Sequence, residues 1–182
     1  MSRAALLAPG YGAGPSQPIL LALASALERY GIVSRAIAFR SGGRRPSREY
    51  ADELDDLRAA RDALRAEHDE IALVGRSFGG RMCALLAAAE PPDALAILGH
   101  PIAPPGRPRT RDERAPAAAR CPTLVVQGER DELGPVSVLK RIALTNSLID
   151  LVVIEGAGHD FGAREGEAVE HAARWLDAVL RG

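Results

Sequence analysis

Six short runs of apolar residues punctuate the chain, at positions 4–8, 32–39, 71–74, 94–98, 123–127 and 149–154. Each is continuous rather than alternating, the pattern of a strand covered on both faces. Between them lie stretches with helical periodicity. Ile19, Leu23, Ala26, Leu27 and Tyr30 recur at three- and four-residue steps, with Pro18 suited to a first turn and Gly31 to a stop. A second stretch opens at a capping residue, Ser47, and puts Tyr50, Leu54, Leu57 and Leu64 on one side. A third is the alanine-rich run 78–89, ended by Pro91 and Pro92. A weaker helix is expected over 136–144. The last covers 164–180, with Val169, Ala172, Ala173, Leu176 and Leu180 inward.

Strand and helix alternating in this way predict an α/β fold, a mostly parallel sheet of about six strands between two helical layers. Ligands on such sheets bind beyond the carboxyl ends of the strands. The loops that matter are therefore 9–15, 75–80, 99–120, 128–134 and 155–162, all on one rim. The longest of them, 99–120, is rich in proline and arginine and reads as irregular, either a lid or a solvated connection.

One of these loops carries Gly75-Arg76-Ser77-Phe78-Gly79, where a strand must reverse into a helix. Such a turn strains its central residue and lifts the hydroxyl above the sheet edge. Glycine is 18 of 182 residues, so the motif alone would arise by chance in roughly one such chain in ten. Its meaning depends on whether a base and an acid stand on the same rim, because a hydroxyl of ordinary pKa is a poor nucleophile.

Four histidines compete for the base. His68 sits in a charged helix end and is expected to face solvent. His171, one turn before Trp175, is expected to be structural. His100 follows the fourth strand. His159, in the glycine-rich GAGHDF loop after the last strand, is the preferred base, since a flexible backbone there can bring the imidazole over the sheet. The acid should stand between these loops. QGERDELG offers Glu129, Asp131 and Glu132, of which Asp131 has the short side chain suited to reach an imidazole; Asp160 reads as a loop cap. The order Ser77, Asp131, His159 is nucleophile, acid, base, the order of the alpha/beta-hydrolase arrangement. The oxyanion hole is expected from the backbone N–H of Phe78 and that of Tyr11, with Gly12 as second choice, in the glycine-rich loop APGYGAGP. Gly12, Arg76, His100 and Phe161 are the expected pocket residues.

LLAPGYGAG, VGRSFGGRM, LGHPIAPPGRPRTRDE, TLVVQGERDELG and EGAGHDFG together resemble the small alpha/beta-hydrolase-like family related to dienelactone hydrolases. The resemblance spans nearly the whole chain. It implies a minimal alpha/beta-hydrolase fold without a large cap domain, hydrolysis of an ester or similar acyl bond, and a triad of Ser77, Asp131 and His159. Some eukaryotic relatives are testis-expressed or chromatin-complex proteins, which keeps a non-catalytic binding or scaffold protein as the alternative. There are three departures. No residues precede Ala4 to form the usual opening hairpin, so six strands are expected. Pro9-Gly10 replaces the His-Gly common at the oxyanion loop. Dienelactone hydrolases proper use a cysteine where this chain has Ser77, so a lactone substrate is not implied.

Composition narrows the setting. A chain of 182 residues suits one domain, 1–182, with a single sizeable core. Its net charge of −1 suggests neither nucleic acid nor an anionic membrane as partner. No apolar run is long enough for a signal segment or a membrane span. The two cysteines, Cys83 and Cys121, make no disulfide framework and no metal-ligand spacing, so a cytoplasmic protein is expected. Cys83 should be packed in the core. The expected partner is a small acyl ester or thioester, with no metal or organic cofactor, and the protein is a monomer or homodimer. Arg107, Arg109, Arg111 and Arg114 could steer an anionic substrate to the rim, though Asp112 and Glu113 interrupt them.

Overall fold

The computed structural model of the protein describes residues 1–107 and 110–181; Arg109, one of the arginines singled out above, lies outside the described residues. Six parallel strands, β1 (Arg3–Ala8), β2 (Ile32–Ala36), β3 (Glu70–Arg76), β4 (Ala94–Leu98), β5 (Thr123–Gly128) and β6 (Ile149–Ile154), form one sheet in the order β2-β1-β3-β4-β5-β6. Six α-helices among the described residues cover it: α1 (Pro18–Glu28), α2 (Ala51–Arg65), α3 (Phe78–Ala89), α4 (Thr110–Ala117), α5 (Val136–Ala143) and α6 (Glu165–Val179). This is the expected α/β architecture, a six-strand parallel sheet between helical layers, with no cap domain among the described residues.

Alternation along each strand divides the core in two. Ala5, Leu7, Ala72, Val74, Ala96, Leu98, Leu124 and Val126 pack under α1 and α6. Their neighbours Ala4, Leu6, Ala8, Ile71, Leu73, Leu95, Ile97 and Val125 face α2, α3, α4 and α5. Both faces are dry, which is why the central strands read as unbroken apolar runs. The edge strand β6 is covered only in part, and Val33 on the opposite edge, β2, is exposed. The chain leaves β1 towards β2 on one side and then returns across β1 to β3, so strand order reverses between β1 and β3. Loops at such a reversal diverge to opposite faces and leave a crevice above the sheet.

Three expectations need correction. The strand over 32–39 ends at Ala36. Beyond it Phe39 turns into the second core layer, where its ring meets Phe78 edge-on at 5.5 Å. The second helix starts at Ala51 rather than at Ser47, after a 3-10 turn, Arg48–Tyr50, in which Glu49 and Tyr50 have φ of 55° and 62°. Ser47 still caps it at longer range, its Oγ accepting from the Asp52 N–H at 2.9 Å. The segment 99–120 is not simply irregular. It contains α4, whose Ala115 and Pro116 are buried and whose Asp112 forms a buried ion pair with Arg81.

Candidate active site

At the end of β3 the chain reverses within one residue. Ser77 has φ 50° and ψ −111°, a conformation that L-residues avoid, and its N–H is held by the Leu98 carbonyl at 3.0 Å. The turn is possible because the flanking backbone approaches too closely for side chains. A Cβ at Gly79 would lie 2.2 Å from the Ala8 carbonyl oxygen, and one at Gly75 would lie 2.3 Å from the Gly80 nitrogen. Sterics at β1, β3 and the start of α3 therefore fix where the hydroxyl points.

That hydroxyl is 2.8 Å from Nε2 of His159, and Nδ1 of His159 is 2.7 Å from Oδ2 of Asp131. A carboxylate can only accept, so Nδ1 carries the proton and Nε2 accepts from the Ser77 hydroxyl, with Arg76 Nη1 as a second, longer contact at 3.4 Å. Asp131 is buried, and a buried carboxylate is tolerable only when its lone pairs are filled. Here the Leu133 N–H donates to Oδ1 at 2.9 Å and the Gln127 side-chain amide donates to Oδ2 at 2.7 Å.

Gln127 was not among the expected site residues. It is fully buried at the end of β5, donates also to the Gly134 carbonyl at 2.8 Å, and accepts from the His100 N–H at 2.7 Å. The sequence did carry a signal, a lone amide closing the otherwise apolar TLVVQ run. A polar side chain inside a strand buried on both faces must have partners there. The loops that carry Asp131 and His159 are also tied directly. The Arg130 N–H donates to the Ala157 carbonyl at 2.8 Å, and Glu129 accepts from the Gly156 N–H at 2.8 Å.

Arg76 runs beneath the imidazole. Its Nη2 donates to the His159 carbonyl at 2.6 Å, its Nη1 donates to the Leu98 carbonyl at 3.2 Å, and it stacks over the Phe161 ring at 5.6 Å. Burial pushes its pKa down, opposed by the negative charges of Asp131, Asp160 and Glu165. Arg76 thus anchors the backbone that carries His159.

In front of Ser77 opens a cleft of about 390 Å³ lined by Tyr11, Pro46, Tyr50, Ser77, Phe78 and Arg81 on one side and Pro101, Arg107 and Leu133 on the other. The Tyr11 and Tyr50 rings meet Phe78 edge-on at 5.9 and 6.1 Å. Among the described residues neither the Tyr11 nor the Phe78 N–H has an acceptor, whereas the Gly10 N–H is occupied by Gln17 Oε1 at 2.9 Å. The cleft wall differs from the one expected. Gly12 lies behind its loop, where a Cβ on Gly43 would come within 2.9 Å of its Cα. Arg76 and Phe161 lie on the far side of His159, and His100 is wholly buried beneath Pro101. Of the other histidines, His68 is half-buried and His171 is exposed; Asp160 is exposed, and among the described residues no hydrogen bond to its side chain caps the loop. Cys83 is fully buried, and desolvation pushes its thiol pKa up, so it takes no part. Among the described residues no group of three His, Cys, Asp or Glu side chains could hold a metal ion.

A profile of the alpha/beta hydrolase domain matches residues 1–181. The chain belongs to that family. An alpha/beta serine hydrolase homologue from Coxiella burnetii superposes on this alpha/beta hydrolase domain with a TM-score of 0.82 at 25% identity, over 97% of this chain and 86% of that one. A protein of Xanthomonas campestris described as belonging to the alpha/beta hydrolase superfamily matches with a TM-score of 0.72 at 26% identity, over 98% and 99% of the two chains. Est1E from Butyrivibrio proteoclasticus, at 18% identity, shares the fold with a TM-score of 0.83 over 100% of this chain and 89% of its own. No curated protein matches the chain.

Proposed function

We propose that the protein is a serine hydrolase that cleaves a carboxylic ester or thioester through an acyl-enzyme intermediate. The observation that carries this reading is the unbroken hydrogen-bonded series from Ser77 Oγ through His159 to the buried Asp131, opening onto a cleft. Ser77 Oγ attacks the acyl carbon while His159 Nε2 takes its proton. Asp131 keeps the imidazole in the required tautomer and stabilises it once it is charged. Negative charge developing on the carbonyl oxygen is met by the N–H groups of Phe78 and Tyr11, each such donor being worth about 10²–10³ in rate. The leaving group departs with the proton held by His159. Water then loses a proton to His159, attacks the acyl-Ser77, and releases the acid.

The kinship with dienelactone hydrolases belongs to the same reading and rests on the five segments quoted above. So does action by 1–182 as one domain in the cytoplasm, where the free, buried Cys83 and Cys121 would stay reduced. A fluorophosphonate probe tests the proposal. It should label the wild-type protein and fail to label Ser77→Ala, and hydrolysis of short-chain p-nitrophenyl esters should be lost with it. An unlabelled wild type would instead favour a binding protein, and labelling that survives Ser77→Ala would put the reactive nucleophile at another residue.

A further inference from the structure

Beyond the cleft at Ser77 lies a second, outer cleft of about 670 Å³, lined by Arg45, Pro46, Ser47, Arg48, Glu49, Tyr50 and Arg111. The two share Pro46 and Tyr50, so the outer cleft continues the inner one away from the hydroxyl. Arg45 and Arg48 come from the loop GGRRPSRE, Arg111 comes from the first turn of α4, and Arg107 lines the adjoining inner cleft.

These arginines differ from most others on the surface. Arg29, Arg35, Arg40, Arg58, Arg65, Arg141, Arg164, Arg174 and Arg181 each sit against a carboxylate. Arg45, Arg48, Arg107 and Arg111 are exposed, and among the described residues none of them has a carboxylate within 4.0 Å. The nearby acids are already engaged: Asp112 with Arg81, Glu113 with Arg141, and Asp52 with Arg40. Among the described residues that line the outer cleft, Glu49 is the only acid beside Arg45, Arg48 and Arg111, in a chain whose net charge is −1. A cleft lined by one sign of charge concentrates counter-ions of the other, and guanidinium forks match carboxylate and phosphate oxygens.

The walls are held rigidly. Buried Glu53 accepts from the Ser47 hydroxyl at 2.7 Å and from the Ser47 N–H at 3.2 Å, which fixes the first loop against the left-handed Glu49 and Tyr50. Arg81 binds Asp112 through Nε at 2.9 Å and Nη2 at 3.2 Å, and also donates to the Tyr50 hydroxyl at 3.0 Å. That set of bonds joins α3, α4 and the first loop. Four cations without carboxylate partners on a fixed frame, continuous with the reacting hydroxyl, make a receptor for an anion supplied from outside.

We propose that the outer cleft binds the anionic part of the substrate, an acyl ester or thioester carrying carboxylate or phosphate groups away from the scissile bond. This inference rests on the reading of Ser77 as nucleophile, and its test separates the two. Wild type and the triple variant Arg45→Gln/Arg48→Gln/Arg111→Gln are compared on p-nitrophenyl butyrate, on mono-p-nitrophenyl glutarate, and on butyryl-coenzyme A, which distinguishes carboxylate from phosphate. Each ratio of kcat/KM, anionic over neutral, is the readout. At least one ratio should fall about tenfold in the variant and shrink in high salt, and lysine at the three positions should restore most of it. Inorganic pyrophosphate, titrated calorimetrically, should bind the wild type and bind the variant at least tenfold more weakly. Unchanged ratios for both anionic substrates, or equal pyrophosphate affinity in the two proteins, would overturn the proposal. If no ester is turned over by the wild type, the hydrolase reading fails, and the pyrophosphate titration alone decides the anion site.

Discussion

The two sides of Ser77 are built on opposite rules. On the side of β5 and β6, the polar groups behind the imidazole are engaged among the described residues: Asp131 by His159, Gln127 and the Leu133 N–H, and Gln127 by two loops at once, those of Asp131 to Gly134 and of His100. On the side of α2 and α4, polar groups in the frame are paired, but the arginines at the cleft surface are left open. Under the proposed function, the difference reflects what each side would have to do. A base and its orienting acid work only if their geometry is fixed before the substrate arrives, so their valences are filled from within. A recognition surface works only if its valences are unfilled, so rigidity there has to come from residues one layer back.

Substitutions can break or sharpen this contrast. The largest effect is expected at Asp131→Asn, which keeps the shape but offers His159 an amide able to stabilise the wrong tautomer. The value of kcat on p-nitrophenyl acetate should fall by about 10⁴ with little change in Tm. A loss below tenfold would mean that the closed network does not orient the base. Next comes Asp112→Leu, which strips buried Arg81 of its carboxylate and should cost about 3–5 kcal/mol in urea unfolding. The double variant Arg81→Met/Asp112→Leu should recover most of that, because the pair is then replaced by apolar contacts. A smaller loss, about 1.5–3 kcal/mol, is expected for Gln127→Leu, which removes a hydrogen bond to a charged acceptor. It should lower kcat more than it raises KM, since Gln127 touches Asp131 and not the cleft.

The smallest effect concerns pH. Burial pushes the Glu53 carboxyl pKa up, but hydrogen bonds from Ser47 and Ser41 outweigh it, and the folded-state pKa lies below the ordinary value. A depressed carboxylate pKa stabilises the fold above the unfolded pKa of about 4.3, and the contribution is lost as pH falls through the folded value. Wild type should therefore exceed Glu53→Gln by about 1 kcal/mol in urea unfolding at pH 7, and the gap should narrow as pH falls below the ordinary carboxylate range. A gap independent of pH would place the effect in packing rather than charge.

The parts of the molecule legible in the sequence are those where local and tertiary demands coincide. The strand over 94–98 and the helix over 78–89 match the observed bounds, because β4 is buried throughout and α3 is buried from Phe78 to Ala87; the strand over 149–154 matches as well, although β6 is covered only in part. The helix α4 was hidden for the opposite reason. Its residues TRDERAPA are polar, and Pro116 lies inside it, which locally disfavours a helix. It forms because Asp112 meets Arg81, 31 residues earlier, and Ala115 and Pro116 find a buried face. Likewise the continuity of the outer cleft rests on two left-handed residues, Glu49 and Tyr50, that no propensity favours.

Read alone, the sequence determined the layered parallel sheet, the rim on which loops gather, and which serine, carboxylate and histidine types lie on that rim and in what order. Periodicity and glycine placement are local properties, so they survive in one dimension. Only the tertiary structure decided which side chains touch. Gln127 behind Asp131, Arg76 beneath His159, and the arginines left open around the cleft are all defined by neighbours far along the chain. Whether a charged group is paired or available is a matter of distance in space, and spacing along a chain does not encode it.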